Sequence, residues 1–235
     1  MASKEQVRDT FARIAPGYDL LNRIMSLGQD RNWRRLCASL ATSSSNGLAL
    51  DLATGTGEMA LELAHHADHI IAIDFCSQML MQAERKAKRN ELGSKISFLL
   101  ADALALPFPD DSFDCATIAF AVRNVESITR CFAELRRVLK PGGCVVCLEL
   151  VKPMTPVVTT FYRFYLYKVI PFITHCLNRD RNAYFYLADS VLGFLTAEEL
   201  KQIMAEAGLL QVRYRLLNLG TVAIHSGMKP GGKKN

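Results

Sequence analysis

Leu48-Ala-Leu-Asp-Leu-Ala-Thr-Gly-Thr-Gly-Glu58 is the stretch of sequence that decides the fold. An apolar run ends there in a glycine-rich turn, and an amphipathic helical pattern begins at Glu58. Gly55 and Gly57 let the backbone turn tightly and approach a ligand with no Cβ in the way. A strand, such a turn and a helix form the first unit of a doubly wound α/β fold, which places its ligand at this turn.

The same alternation of apolar runs and helical patterns continues along the chain. The predicted strands cover residues 48–52, 70–74, 96–100, 114–120, 144–150, 211–217 and 221–226. The predicted helices cover residues 58–67, 78–92, 127–139 and 197–207, and Pro141-Gly-Gly143 is expected to separate the third of them from the fifth strand. This pattern predicts a Rossmann-like α/β fold with a seven-stranded, mostly parallel sheet and helices on both faces.

The length of 235 residues, half of them hydrophobic, predicts a single domain over residues 1–235. Its expected parts are an N-terminal helical lid (1–46), a core (47–150), an aromatic-rich helical cap (151–194), and a last helix with the final strands (195–235). Residues 155–194 hold ten of the twenty aromatic side chains. These aromatics either pack on the sheet or line an apolar pocket or a membrane-facing cap.

Charge and cysteine content narrow the class of protein. The net charge of +5 is a mild excess that suits an anionic partner without requiring one. The seven cysteines form no regular disulfide framework, which favours a reducing cytoplasmic location. Cys144 and Cys147 fall on one predicted strand three residues apart, so their thiols are expected on opposite faces and no metal is predicted. No stretch is long and apolar enough to predict a membrane span.

An adenosine-bearing cofactor is predicted at the glycine-rich turn. Asp74 ends the next predicted strand, where a carboxylate can accept hydrogen bonds from both ribose hydroxyls. The turn also fits a loose dinucleotide pattern, but Asp51 and Glu58 flank it and would repel a pyrophosphate. S-adenosylmethionine (SAM) instead brings a sulfonium and an ammonium group, which carboxylates attract.

A third acidic position follows the third predicted strand. Asp102 can accept the adenine amino group, and the N–H of Ala103 can meet a ring nitrogen. Together with Asp51, the two glycines and Asp74, this order and spacing predicts a SAM site.

The chain resembles the class I methyltransferases over about residues 47–150, including the stretches 106–114 and 138–143. The resemblance implies that Thr56 and Gly57 lie at the methionine end of the cofactor and that Phe75 and Met79 lie near the adenosine. Thr54 and Ala119 complete the predicted cofactor set.

Further stretches resemble the ubiquinone/menaquinone biosynthesis C-methyltransferases (UbiE/MenG) over nearly the whole chain. They are Phe-Ala-Arg-Ile-Ala-Pro-Gly-Tyr-Asp-Leu-Leu-Asn at 11–22, Ser-Leu-Gly at 26–28, Trp-Arg at 33–34, Phe-Ala-Val-Arg-Asn-Val at 120–125, Tyr-Leu-Ala-Asp-Ser at 186–190, Ala-Gly at 207–208 and Gly-Thr-Val-Ala-Ile-His at 220–225. Two positions depart from that family's pattern, which usually has glycine at Ala121 and a small polar residue at Ala119.

The resemblance implies methyl transfer from SAM to a ring carbon of a prenylated quinol, either demethylmenaquinol or 2-polyprenyl-6-methoxy-1,4-benzoquinol. Arg123 is then expected to stabilise the quinolate electrostatically, with Asn124 positioning the hydroxyl or a water. An arginine is a poor base, so a water or Tyr18 accepts the proton. A polyprenyl substrate implies peripheral contact with a membrane, and a homodimer or a quinone-synthesis assembly remains open.

Three alternatives stand beside this prediction. A methyltransferase for another apolar small molecule fits the same cofactor site. An RNA or protein methyltransferase is suggested by the basic residues Arg31, Arg34, Arg35 and Lys233-Lys234. The chain lacks a basic stripe interleaved with stacking aromatics and a recognition module beside the catalytic domain, so no nucleic-acid partner is expected. A non-enzymatic SAM-binding subunit is disfavoured because all the cofactor carboxylates are present.

Overall fold

Seven strands form one sheet in the computed structural model of the protein, which describes residues 4–43, 45–172 and 188–231. The strands are β1 (Leu48–Leu52), β2 (His69–Asp74), β3 (Ile96–Leu100), β4 (Phe113–Ala119), β5 (Leu139–Leu150), β6 (Leu210–Leu217) and β7 (Val222–Met228). Their order is β3-β2-β1-β4-β5-β7-β6, and β7 runs antiparallel to both of its neighbours. The predicted seven-stranded, mostly parallel sheet is confirmed.

Eight helices with described bounds connect or cover these strands. They are α1 (Lys4–Ile14), α2 (Tyr18–Met25), α3 (Asp30–Ala41), α4 (Glu58–Leu63), α5 (Ser77–Ala87), α6 (Ile128–Val138), α7 (Pro156–Phe164) and α8 (Ala197–Glu206). Short 3₁₀ turns lie at Ala15–Gly17, Glu91–Lys95, Val122–Asn124 and Asn218–Gly220, and a π-helical segment at Tyr165–Val169 continues α7. Pro16 and Gly17 lie in the first of these turns, between α1 and α2.

Two hydrophobic cores lie on opposite faces of the sheet, because successive side chains of a strand point to opposite sides. On β1, Leu50 packs in the core that contains Leu135 of α6 and Met204 of α8. Ala49, its neighbour, packs in the core that contains Cys37 of α3 and Met59 of α4. Helices therefore cover both faces, as predicted.

The cysteine pair of β5 follows the same alternation. Cys147 is buried in the first core, whereas the half-buried Cys144 packs against the second. The expected placement of the two thiols on opposite faces is confirmed.

Three predicted boundaries were wrong. The helix predicted over 58–67 ends at Leu63, and the following turns are stabilised by Lys95, whose Nζ donates hydrogen bonds to two carbonyls there. The helix predicted over 78–92 ends at Ala87, and the side chain of Asn90 caps a separate 3₁₀ turn. The fifth strand begins at Leu139 instead of after Pro141-Gly-Gly143. A register shift between β4 and β5 absorbs the extra residues, and Gly142 adopts the left-handed φ of 80° that this irregularity requires.

Part of the predicted helical cap lies outside the described residues, namely positions 173–187, which include Cys176. Lys233-Lys234 also lies outside them. Among the described residues, no helix is long and apolar enough to cross a membrane.

Candidate active site

A pocket opens at the carboxyl ends of β1, β2 and β4, where a doubly wound sheet places its ligand. We call it the strand-end pocket. It is lined by Lys4, Val7, Phe11, Tyr18, Leu52, Ala53, Gly55, Ile73, Asp74, Phe75, Met79, Ala101, Asp102, Ala103, Leu104, Ala119, Phe120, Ala121, Asn124, Val125 and Glu126.

Asp74 fixes the shape of this pocket at the end of β2. Its Oδ2 accepts a hydrogen bond from the backbone N–H of Gly55 at 2.8 Å, and its Oδ1 accepts one from the N–H of Cys76 at 2.9 Å. Burial raises the pKa of Asp74, although the backbone donors oppose that shift. Gly55 has φ 57°, and a Cβ there would meet no atom within 4 Å, so its bare backbone faces open space. This arrangement suits a ribose held by Asp74 above an approachable backbone.

Asp51 and Thr54 support the turn from beneath and do not line the pocket. The Asp51 carboxylate accepts hydrogen bonds from Thr54 Oγ1 at 2.5 Å and from Thr117 Oγ1 at 2.8 Å. Burial raises the pKa of Asp51 to about 6 despite these two donors. Asp51 therefore shapes the glycine-rich turn, and its predicted direct contact with a cofactor finds no support in this placement.

Thr56 and Gly57 also do not line the strand-end pocket, and they join the glycine-rich turn to α2 and α5. Thr56 Oγ1 donates a hydrogen bond to Asp19 of α2 at 2.5 Å, and Lys86 Nζ lies 2.6 Å from Asp19 and 2.5 Å from Glu58. A Cβ at Gly57 would lie 3.1 Å from that of Ala83, so glycine permits the close approach of α5. The carboxylates of Asp19 and Glu58 thus share the single ammonium group of Lys86. The surroundings of the turn therefore keep a net negative charge.

The far end of the strand-end pocket is closed by α1. Lys4 forms an ion pair with Asp102, and Val7 and Phe11 of the same helix line the pocket. Burial would raise the pKa of Asp102, but the hydrogen bond and charge of Lys4 hold it below its usual value. Asp102 therefore stays ionised and can accept an amino group, as predicted for the adenine end.

A second pocket, with a larger cavity volume of about 470 Å³, lies beside the first, and we call it the aromatic pocket. It is lined by Tyr18, Asn22, Met25, Ser26, Leu27, Gln29, Asp30, Trp33, Phe120, Arg123, Leu150, Val157, Val158, Phe161, Tyr162, Tyr165, Leu166, Asn218, Leu219, Thr221 and Val222. Residues of α2, α3, α7 and the loop before β7 thus enclose a mostly apolar space.

Arg123 places a positive charge in the wall of the aromatic pocket. Its Nη1 lies 2.5 Å from Oε1 of Glu149, and the two side chains are 4 % and 0 % exposed. Burial would lower the pKa of Arg123, but the Glu149 carboxylate raises it above its usual value, so the guanidinium stays charged. Its Nε–H is buried without a hydrogen-bond partner in the described part of the chain. A buried donor without a partner is costly, and a ligand oxygen would satisfy it.

Two aromatic residues, Tyr18 and Phe120, line both pockets. Phe120 follows β4 with φ 57°, a left-handed conformation that is rare for a residue with a side chain. Its ring lies 6.4 Å from that of Trp33 and carries the guanidinium of Arg34 at 5.1 Å. The strained backbone and these contacts hold the ring at the boundary, where the pockets meet.

The structure brings most of the predicted site residues together. The strand-end pocket contains Gly55, Asp74, Phe75, Met79, Asp102, Ala103, Ala119, Asn124 and Tyr18. Arg123 lines the aromatic pocket instead, so it and Asn124 face different cavities. No motif in the sequence points to Lys4, Val7 or Glu149. Phe11 and Phe120 lie within the quoted family motifs, although no role was predicted for them.

The seven-stranded sheet with helices on both faces has the fold of the class I SAM-dependent methyltransferases. The solved structure of the [4+2]-cyclase SpnF has a TM-score of 0.72 at 19 % identity, covering 99 % of this chain and 98 % of that one. A SAM-dependent methyltransferase from Thermotoga maritima has a TM-score of 0.64 at 19 % identity, covering 94 % and 99 % of the two chains. Likeness at this identity shows the fold alone.

Sequence comparison identifies the family within this class. Residues 1–229 match the model of the ubiE/COQ5 methyltransferase family. The demethylmenaquinone methyltransferase of Thermus thermophilus is 46 % identical over 222 residues, which are 94 % of this chain and 100 % of that protein. The UbiE ubiquinone/menaquinone biosynthesis C-methyltransferase of Geobacter sulfurreducens is 40 % identical over 228 residues, which are 96 % and 89 % of the two chains. The chain belongs to the ubiE/COQ5 methyltransferase family, and the predictions of this family and of SAM as methyl donor are confirmed.

Proposed function

We propose that the protein transfers a methyl group from SAM to a ring carbon of a prenylated quinol in menaquinone or ubiquinone synthesis. The observation that carries this proposal is the pair of adjoining pockets that share Tyr18 and Phe120. One pocket offers carboxylates for a nucleoside. The other is large and apolar, with a buried guanidinium in its wall.

The strand-end pocket has the groups that SAM requires. Asp74 would hold the ribose, Asp102 the adenine amino group, and the bare backbone at Gly55 would lie against the cofactor. Bound SAM supplies an electrophilic methyl group on a positively charged sulfur. Asp19, Asp51 and Glu58 place negative charge around the turn, and Lys86 offsets only part of it. This net negative charge favours the sulfonium cation of SAM.

Arg123 would activate the acceptor. A ring carbon becomes a good nucleophile when a neighbouring hydroxyl loses its proton, and a charged donor in a site of low polarity stabilises the resulting oxyanion. The guanidinium of Arg123 is held ready by Glu149 and keeps a buried N–H to offer. Asn124 would position the hydroxyl or a water between the pockets, and Tyr18 or a water would take the proton.

The rim of the aromatic pocket suits the prenyl tail. Leu27, Val157, Phe161 and Leu219 line this pocket and are between 66 % and 83 % exposed. A cluster of exposed large apolar side chains marks a site for an apolar ligand or a membrane. We therefore also propose that the tail leaves the pocket here and that the protein approaches the bilayer with this rim.

Transfer of labelled methyl from SAM by the purified protein tests the function. Short-chain demethylmenaquinol and 2-polyprenyl-6-methoxybenzoquinol are offered separately in detergent under reducing conditions. Methylated product from either one supports the proposal and identifies the ring. Absence of product from both, with SAM binding measured in the same sample, would contradict the proposal and direct the search to other apolar acceptors.

A further inference from the structure

Three tyrosines lie close together on α7 and the π-helical segment after it, and the hydroxyls of two of them have protein partners. Tyr165 donates to the carbonyl of Met25 at 2.8 Å, and Tyr167 donates to Asp189. The hydroxyl of Tyr162 makes no hydrogen bond to any part of the chain that the structure describes. Tyr162 is half-buried, and its hydroxyl therefore has a hydrogen-bond donor left to offer to a ligand.

Tyr162 lies in the wall of the aromatic pocket, and so does Arg123. The two are close enough for the charge of Arg123 to lower the pKa of Tyr162. Burial has the larger effect and raises that pKa above its ordinary value, so the hydroxyl keeps its proton at neutral pH. Tyr162 is therefore suited to donate a hydrogen bond and is poorly suited to act as a base.

We infer that Tyr162 donates a hydrogen bond to the same quinolate oxygen that Arg123 stabilises, so that the two side chains form one oxyanion site. The inference rests on the proposed function and adds to it a catalytic residue from the helical cap. Two donors that converge on one developing charge stabilise it more than one does, and donors fixed before the reaction need no rearrangement.

Arg123 and Tyr162 come from different elements of the chain. Arg123 lies in the 3₁₀ turn after β4, whereas Tyr162 belongs to α7. A quinol oxygen bound by both side chains would join these two elements. Helix α7 thus has a chemical role in addition to lining the pocket.

The pH dependence of turnover separates this role from a structural one. Stabilisation of the quinolate lowers the pKa of the bound quinol, so loss of Tyr162 should move the rising limb of the kcat profile to higher pH. The other titratable or charged groups around the pocket are Tyr18 of α2, Asp30 of α3 with its partner Arg34, Glu149 of β5, and Tyr165. All of them are retained in a Tyr162→Phe variant.

The experiment compares the wild type with Tyr162→Phe and with the matched control Tyr167→Phe, using short-chain demethylmenaquinol or the benzoquinol, whichever the wild type methylates. Tyr162→Phe removes a hydrogen bond to a charged group, so we expect it to lower kcat by about 10- to 100-fold. The rising limb of the pH profile of kcat should move upward by about one pH unit or more. SAM affinity and Tm should change little, and Tyr167→Phe should match the wild type.

Unchanged kcat and an unshifted limb in Tyr162→Phe would overturn the inference. So would a loss of turnover that comes with a lower Tm and no pH shift, because that pattern indicates packing. A wild type that binds SAM but methylates neither quinol would instead contradict the proposed function, and the inference would fall with it.

Discussion

The strand-end pocket and the aromatic pocket are built in different ways. The first is formed at strand ends by backbone groups and by carboxylates that the backbone holds, as Asp74 is held by two N–H groups. The second is formed by side chains from helices far apart in sequence, such as Trp33 and Tyr162. Local chain geometry therefore fixes the strand-end pocket, whereas the aromatic pocket depends on how helices from distant parts of the chain pack together.

The largest expected effect comes from removing the charge in the aromatic pocket. We expect Arg123→Ala to lower kcat by about 100- to 1000-fold, as for removal of an oxyanion donor, and SAM affinity to stay nearly unchanged. Steady-state kinetics and calorimetric titration with SAM measure the two quantities. Equal loss of SAM binding would contradict the division between the pockets.

A companion variant separates catalysis from stability in this prediction. Arg123→Ala leaves the Glu149 carboxylate buried without its partner, which should destabilise the protein by about 3–5 kcal/mol. Arg123→Ala combined with Glu149→Gln removes both charges and should recover much of that loss in urea unfolding. Turnover should stay low, and recovery of turnover in the double variant would show that Arg123 acts only on stability.

A substitution at Asp74 should have the opposite selectivity. Asp74→Ala removes the charged acceptor proposed for the ribose hydroxyls. We therefore expect it to weaken SAM binding by about 10- to 100-fold. Affinity for the quinol should be nearly unaffected. Asp68 provides the matched control because it is exposed and directly precedes β2, at the end of the strand opposite Asp74. Asp68→Ala should bind SAM like the wild type. A quinol KM that rises as much as the SAM Kd would argue against two separate pockets.

The rim of the aromatic pocket should affect only acceptors with a long tail. Phe161→Ser removes an apolar side chain from the pocket mouth and is expected to raise KM about fivefold for a long-tailed quinol, since partial burial of a phenyl group is worth about 1 kcal/mol. A short-tailed quinol should show no change. Phe164 is similarly exposed on the same helix but does not line the pocket, so Phe164→Ser in detergent should leave both KM values unchanged. Equal effects on both tail lengths would place the tail elsewhere.

The smallest effect on turnover is expected at Asp51, which supports the turn without lining a pocket. Its pKa is raised from an ordinary value of 3.8 to about 6. Between these two pH values the folded protein therefore holds a proton on Asp51 that the unfolded chain has lost. The free energy of unfolding should therefore fall as the pH rises from about 4 to 6, by at most about 3 kcal/mol. Asp51→Asn removes this contribution. Urea unfolding at pH 4 and pH 7 measures it, and parallel behaviour of the two proteins would contradict the raised pKa.

The sequence predicted the fold and much of the strand-end pocket because their signals are local. A glycine at φ 57° beside a strand-end carboxylate leaves a motif that can be recognised within a few residues. The ends of helices were less predictable, since Lys95 caps turns about thirty residues away.

The aromatic pocket could be predicted only in part, because its contacts are long-range. Aromatic content marked the cap, but nothing in the sequence paired Glu149 with Arg123 or distinguished Tyr162 from Tyr165. The closure of the strand-end pocket by Lys4 on Asp102 also joins residues distant in sequence. Such pairs are set by tertiary packing, which no single stretch of sequence records.

The division of labour between the two pockets is best tested by a crystal structure of the protein with S-adenosylhomocysteine and a short-chain quinol analogue. We expect the adenosine against Asp74 and Asp102, and the ring in the aromatic pocket with one oxygen near Arg123. The sulfur should face a ring carbon between Tyr18 and Phe120. A quinol bound outside the aromatic pocket, or with its ring turned away from the sulfur, would contradict it.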